Sequence, residues 1–228
     1  MTPLRALFID RLRVQKLSEK TIATYVSCVA GLANHCRTSP LGLSADQIRG
    51  YLLFLLEKRK YAASTFNLHL DAIKTFFRLM APGSTVMSEF THAKATRRIP
   101  SVLSHEEVDR LIAAAPKLKY KAIIMLLYSA GLRLMECVTI KPVHIESGRM
   151  KVRVEQGKGN RDRYTLLSRK TLDVLREYFR AARPRNFLFE GFGGNHISAR
   201  MIGRIVSDAA HAAHIGKRVH PHTLRHSL

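Results

Sequence analysis

The chain has 228 residues, 46% of them hydrophobic and 24% charged, proportions that support a buried core and exclude a largely disordered chain. Its 38 Lys and Arg stand against 17 Asp and Glu, a net charge of +21 that suits a polyanion, with nucleic acid ahead of an anionic membrane surface. No run of about 18 uncharged apolar residues occurs, the N-terminus is broken by charge before a signal-peptide core could form, and Cys28, Cys36 and Cys137 lack the close pairs of a zinc ribbon. The expectation is a cytoplasmic, nucleoid-associated protein with reduced thiols and no membrane partner.

In chain order, Leu4, Leu7, Phe8 and Leu12 recur at helix spacing. Ser18, Ser44 and Ser64 then stand where each can cap a following helix, the last with Leu68, Ile73, Phe76 and Phe77 on its apolar face. Residues 1–83 therefore read as a compact bundle of four helices. Pro82-Gly83 punctuates its end, and residues 84–103, without sustained period and carrying Lys94, Arg97 and Arg98, read as a basic interdomain linker.

Ser104 and Glu107 have capping-box spacing and open a second domain, 104–228. An apolar helix ending at Gly131 follows. RMKVRVE then alternates apolar and charged residues and is joined through Gly157–Asn160 to RDRYTLL, the pattern of a β-hairpin. Two further helices are expected in SRKTLDVLREYFRAA and ISARMIGRIVSDAAHAAH. The predicted fold class is mainly α with a small antiparallel β-sheet. The three segments carry net charges of +7, +2 and +12, so a long polyanion touching both domains as a clamp fits better than a single basic tail.

Three short pieces carry chemistry. Arg133 and Glu136 lie three apart on one helical face, an orienting ion pair that by itself also reads as a surface pair worth at most about 1 kcal/mol. Lys158 sits between two glycines at the hairpin tip, where it can reach a phosphate or simply be solvated; the spacing is not that of a nucleotide-binding loop. His222, Arg225 and His226 share a face of a short helix opened by Pro221. With His211 and His214 nearby, these histidines raise zinc, but no Cys or carboxylate completes a ligand set, so no metal or other cofactor is expected.

Together and in this order, GLRLMECVTI, GKGNRDRYTLL and HPHTLRHS resemble the active-site boxes of the tyrosine recombinase family, the phage integrases. LSEKTIATYVSCVAGL and STFNLHLDAIKTFFRL are similar to its core-binding, SAM-like domain, and RRIPSVLSHEEVDRLIAAAP to the entry of its α+β catalytic domain. The resemblance implies DNA recombination and integration on double-stranded DNA, alongside other recombinase subunits in a tetrameric synapse. It further implies Arg133 and Arg225 as catalytic arginines, Glu136 as the acid supporting Arg133, Lys158 as the hairpin lysine and His222 as the catalytic histidine. Family members continue past the last box to a nucleophilic tyrosine, whereas this sequence stops at Leu228 with none of its seven tyrosines after Arg225. The expectation is a chain truncated before its nucleophile and the C-terminal helix that docks onto neighbouring subunits. A noncatalytic DNA-binding decoy is the alternative, and a type IB topoisomerase a more distant one.

Overall fold

The computed structural model describes residues 2–94, 101–155 and 162–228, which fall into two compact units, 1–98 and 99–228. In the first, α1 (Pro3–Val14), α2 (Glu19–Cys36), α3 (Ala45–Glu57) and α4 (Ala63–Met80) form an all-helical bundle. Ser18 accepts from the Thr21 N–H at 3.2 Å, and Ser44 with Gln47 completes a capping box, so one backbone N–H at the start of α2 and two at the start of α3 find side-chain partners, with both serines capping as the sequence predicts. Ser64 is not a cap. Helix α4 starts at Ala63, because the Ala62 carbonyl already receives the N–H groups of Thr65 and Phe66 and closes the turn without a side chain.

The bundle core is built on Leu32, Ile48, Leu70 and Ile73, all fully buried, with Phe8 edge-on to Phe76 at 5.1 Å. Leu7 and Leu68, placed on apolar faces by their spacing, instead face solvent. Residues 84–94 pack on this bundle: Met87 and Phe90 join its core, and Asn67 and Ala93 exchange hydrogen bonds of 3.0 and 2.8 Å. Arg49 adds a two-pronged ion pair to Glu89 at 2.8 and 2.9 Å.

The second unit begins with α5 (His105–Ala113), capped by the Ser104/Glu107 box as its spacing predicts. Next comes α6 (Leu118–Ser129), in which Ala122, Ile123, Ile124, Leu126 and Leu127 are all fully buried. A helix apolar on every side must be wrapped, and α6 is the central rod of this unit. It is followed by α7 (Leu134–Thr139), the strands β1 (Ile145–Glu146), β2 (Lys151–Val154) and β3 (Arg163–Leu166), α8 (Arg169–Ala182), α9 (Ala199–Ala212) and α10 (Pro221–His226).

The strands form an antiparallel sheet in the order β1-β2-β3, with Val152 opposite Thr165 and Val154 opposite Arg163. The hairpin predicted between β2 and β3 is present in its strands; its tip, including Lys158, lies outside the described residues. The sheet face inverts the hydrophobic pattern of β3. Arg163 and Thr165 point inward while Tyr164 and Leu166 are 49% and 74% exposed. Thr165 satisfies its hydroxyl by donating to the Ala130 carbonyl at 2.8 Å. Among the described residues no helix is long and apolar enough to cross a membrane.

Candidate active site

Helix α6 ends at a left-handed turn through Gly131, φ 55°, a conformation that costs glycine little. Two residues later Arg133 takes extended backbone as the N-cap of α7, which places Glu136 at the third position of the helix. The Glu136 carboxylate turns back on that cap: Oε2 accepts the Arg133 backbone N–H at 2.7 Å, and Oε1 accepts Arg133 Nη1 at 2.8 Å. The i, i+3 pair read from the sequence thus serves at once as a helix cap and as a clamp on the guanidinium.

Strand β3 brings a second guanidinium. Arg163 donates Nη1 to Oε1 at 2.7 Å and Nη2 to Oε2 at 2.6 Å, the parallel fork geometry that gives an arginine–carboxylate pair its strength and direction. Helix α10 brings a third. Leu224, fully buried, seats that helix in the unit core, and Ser227 accepts the Leu103 N–H at 2.8 Å to fix its end. Arg225 is thereby aimed at the same carboxylate, its Nη1 4.0 Å from Glu136 Oε2 and donating to the Gly131 carbonyl.

The electrostatics follow from this crowding. The Glu136 side chain is only 9% exposed, and burial by itself would push its carboxyl pKa up. The charged donors of Arg163 and Arg133 outweigh that and hold it at about 2. The Arg163 guanidinium is raised, chiefly by its hydrogen bonds to Glu136. Arg225 is shifted the other way, first by desolvation and then by the positive charge of Arg133. One carboxylate is shared by three cations, so the cluster keeps a positive surplus.

His222 lies in the first turn of α10, exposed, one turn before Arg225, with its ring 6.2 Å from that of His220. His220 itself caps the helix, its Nδ1 accepting the Thr223 N–H at 3.1 Å. Of the five residues picked from the sequence, the structure brings Arg133, Glu136 and Arg225 together, sets His222 on the helix of Arg225, and leaves Lys158 among the residues not described. Arg163 was missed. It lies inside the quoted hairpin motif, but the apolar residues around it in β3 argue for the opposite orientation.

A polar cavity of about 370 Å³ lies behind Glu136, with Lys141, His144, Arg153 and Glu155 in its wall. His144 is buried. Its Nδ1 accepts the Lys141 N–H at 3.2 Å and its Nε2 lies 3.3 Å from Glu155 Oε2, so the ring is held between backbone and carboxylate. Burial lowers its pKa, against the pull of Glu155. Among the described residues no group of three His, Cys, Asp or Glu could hold a metal ion.

Comparison with known proteins places these features. The phage integrase family model matches residues 101–228, and that of the phage integrase N-terminal SAM-like domain matches residues 4–82. The integrase/recombinase y4qK of Sinorhizobium fredii is 36% identical over 230 residues, covering 100% of this chain and 75% of the relative. A tyrosine recombinase of Thermosipho africanus is 29% identical over 233 residues, covering 97% and 82%. In fold, the chain is similar to lambda integrase (residues 75–356) as a dimer bound to a COC′ core site, with a TM-score of 0.80, 17% identity, and coverage of 98% of this chain and 86% of that one. With a family model spanning more than half its length and a 36% identical relative aligned along the whole of this chain, the chain belongs to the phage integrase, or tyrosine recombinase, family.

Proposed function

We propose that the chain binds double-stranded DNA and gathers one backbone phosphate at the Arg133–Glu136–Arg225 cluster, as part of site-specific strand breakage and rejoining through a 3′-phosphotyrosyl intermediate. The observation that carries this reading is three guanidiniums around one carboxylate in a recombinase fold. Displacement at a phosphodiester builds negative charge on the nonbridging oxygens, and planar, permanently charged guanidiniums answer that charge with paired N–H donors. Glu136 fixes where Arg133 points, and the Gly131 carbonyl fixes Arg225, so little reorganisation is left for the moment of reaction.

Lys158 protonates the departing 5′ oxygen in this reading, and His222 holds or moves a proton on the side of the attacking group. DNA and further recombinase subunits are the partners, a reading supported by the DNA-bound dimer of lambda integrase. The basic surplus of both units supplies the general affinity, released counterions providing the free energy.

The attacking hydroxyl is assigned to none of the four tyrosines of the second unit. Tyr128 pairs with His105 Nδ1 at 2.9 Å, Tyr178 is buried and pushed up to about 12, and Tyr120 lies under Lys117. Tyr164 is on the face of β3 opposite Arg163. This favours a second reading in which the 228 residues occupy DNA without cutting it, or cut only with a tyrosine supplied by another subunit. The test is a suicide DNA substrate incubated with the 228-residue chain and run on a denaturing gel. No covalent adduct is expected; an adduct abolished by a single Tyr→Phe change would identify the nucleophile and overturn the noncutting reading.

A further inference from the structure

Glu136 carries more cationic partners than a carboxylate can serve equally, and their distances rank them. Arg163 takes both oxygens at 2.7 and 2.6 Å, Arg133 takes a backbone and a side-chain contact at 2.7 and 2.8 Å, and Arg225 stands off at 4.0 Å. Because both terminal nitrogens of Arg163 are turned onto Glu136, that fork is poorly placed to grip a second anion. Arg163 is also an inward-facing residue of β3, opposite Val154, so the strand fixes its reach.

We infer that Arg163 is a positioning residue that saturates Glu136 and so keeps Arg225 from collapsing onto it, leaving the Arg225 guanidinium available to the DNA phosphate. The inference deepens the phosphate-site reading above and rests on it. Without Arg163, Arg133 still holds one contact to each carboxylate oxygen, and the next cation in reach is Arg225, which has to close the gap from 4.0 Å to ordinary hydrogen-bond distance. A largely buried carboxylate that has lost two of its four short donor contacts would drive that closure, since an under-compensated buried charge is costly. The captured arginine would then be lost to DNA although its side chain is unchanged.

The device predicts a rescue that a merely structural arginine would not show. Affinity of the whole chain for a fluorescent duplex is measured against salt, with thermal melting to confirm folding. Arg163→Gln should weaken binding about tenfold and lower the salt slope by about 1, as loss of one phosphate contact does, and Arg225→Gln should do the same. Adding Glu136→Gln to Arg163→Gln removes the captor. Binding should then rise above that of the single variant and the slope should recover the unit lost, even though Glu136→Gln also loosens the hold on Arg133 and the double variant is the less stable protein. Arg163→Lys, which keeps one charged donor, should fall between and serves if the Gln variant does not fold. Unchanged binding by Arg163→Gln, or a double variant as weak as the single, would overturn the inference. If Arg133→Gln and Arg225→Gln both leave affinity and slope unchanged, the phosphate-site reading itself fails.

Discussion

Neutralising Glu136 by Glu136→Gln should destabilise the second unit by an amount readable from its titration. The substitution keeps the size of the side chain and an oxygen able to accept the Arg133 N–H, and removes the charge that three guanidiniums share. The folded pKa of about 2 lies well below the ordinary 4.5. A depressed carboxyl pKa means that the ionised form favours the fold, here by about 3 kcal/mol at neutral pH. That contribution is complete above about pH 5 and fades as pH falls through 4 toward 2.

For a unit spanning residues 99–228, such a loss lowers the melting temperature by roughly 10 °C. Circular dichroism melts of the two chains from pH 7 down to pH 3 provide the assay. The gap should be widest and constant near neutrality and should narrow below about pH 4.5. Glu106→Gln, in the exposed first turn of α5, changes net charge equally without touching the cluster and should shift stability by under about 0.5 kcal/mol. A pH-independent gap, or one no larger than that of the Glu106 control, would refute the idea that the carboxylate is an electrostatic keystone.

Three other outcomes are expected. Duplex affinity, followed by fluorescence anisotropy, should fall by orders of magnitude between about 50 and 200 mM salt, and paired charge-removing substitutions in α2 (Lys20→Ala) and α9 (Arg200→Ala) should each reduce the slope. Leu126→Ala in the central rod should cost about 2–5 kcal/mol in urea unfolding, because a fully buried site wrapped on all sides cannot collapse around the cavity. Ser104→Ala should cost about 1 kcal/mol by the same measurement, since one of the two reciprocal bonds of the α5 capping box is lost.

Much of the architecture was legible where local chemistry acts alone. Ser18, Ser44 and Ser104 announced helix starts because a hydroxyl bonded two or three residues ahead needs no tertiary partner. Gly131 announced the end of α6 for a similarly local reason, its left-handed turn. What was hidden depends on long-range contacts. Leu7 and Leu68 have core-like spacing, yet nothing in their own helices specifies how wide an apolar stripe the neighbours will cover. Residues 84–94 lack any period, and tertiary contacts order them: Met87 and Phe90 seat against the bundle, while Arg49 and Asn67 hold Glu89 and Ala93. At the candidate site, Arg133, Glu136 and Arg225 stood in recognisable motifs, whereas Arg163 acquires meaning only once β3 is rotated to turn it toward Glu136.

That rotation bears on how the strand finds its place during folding. A four-residue strand reading Arg-Tyr-Thr-Leu would, by hydrophobicity alone, turn Tyr164 and Leu166 toward the core, and sliding the pairing by one residue would achieve this. The observed pairing of Val154 with Arg163 and Lys151 with Leu166 denies those side chains the interior. The forked bond from Arg163 to Glu136 and the Thr165 hydroxyl on the Ala130 carbonyl exist in this alignment, and a one-residue shift would turn both groups to the other face. The ion pair therefore acts as a register lock, and an apolar residue at position 163 would remove the penalty on misaligned hairpins as well as the partner of Glu136.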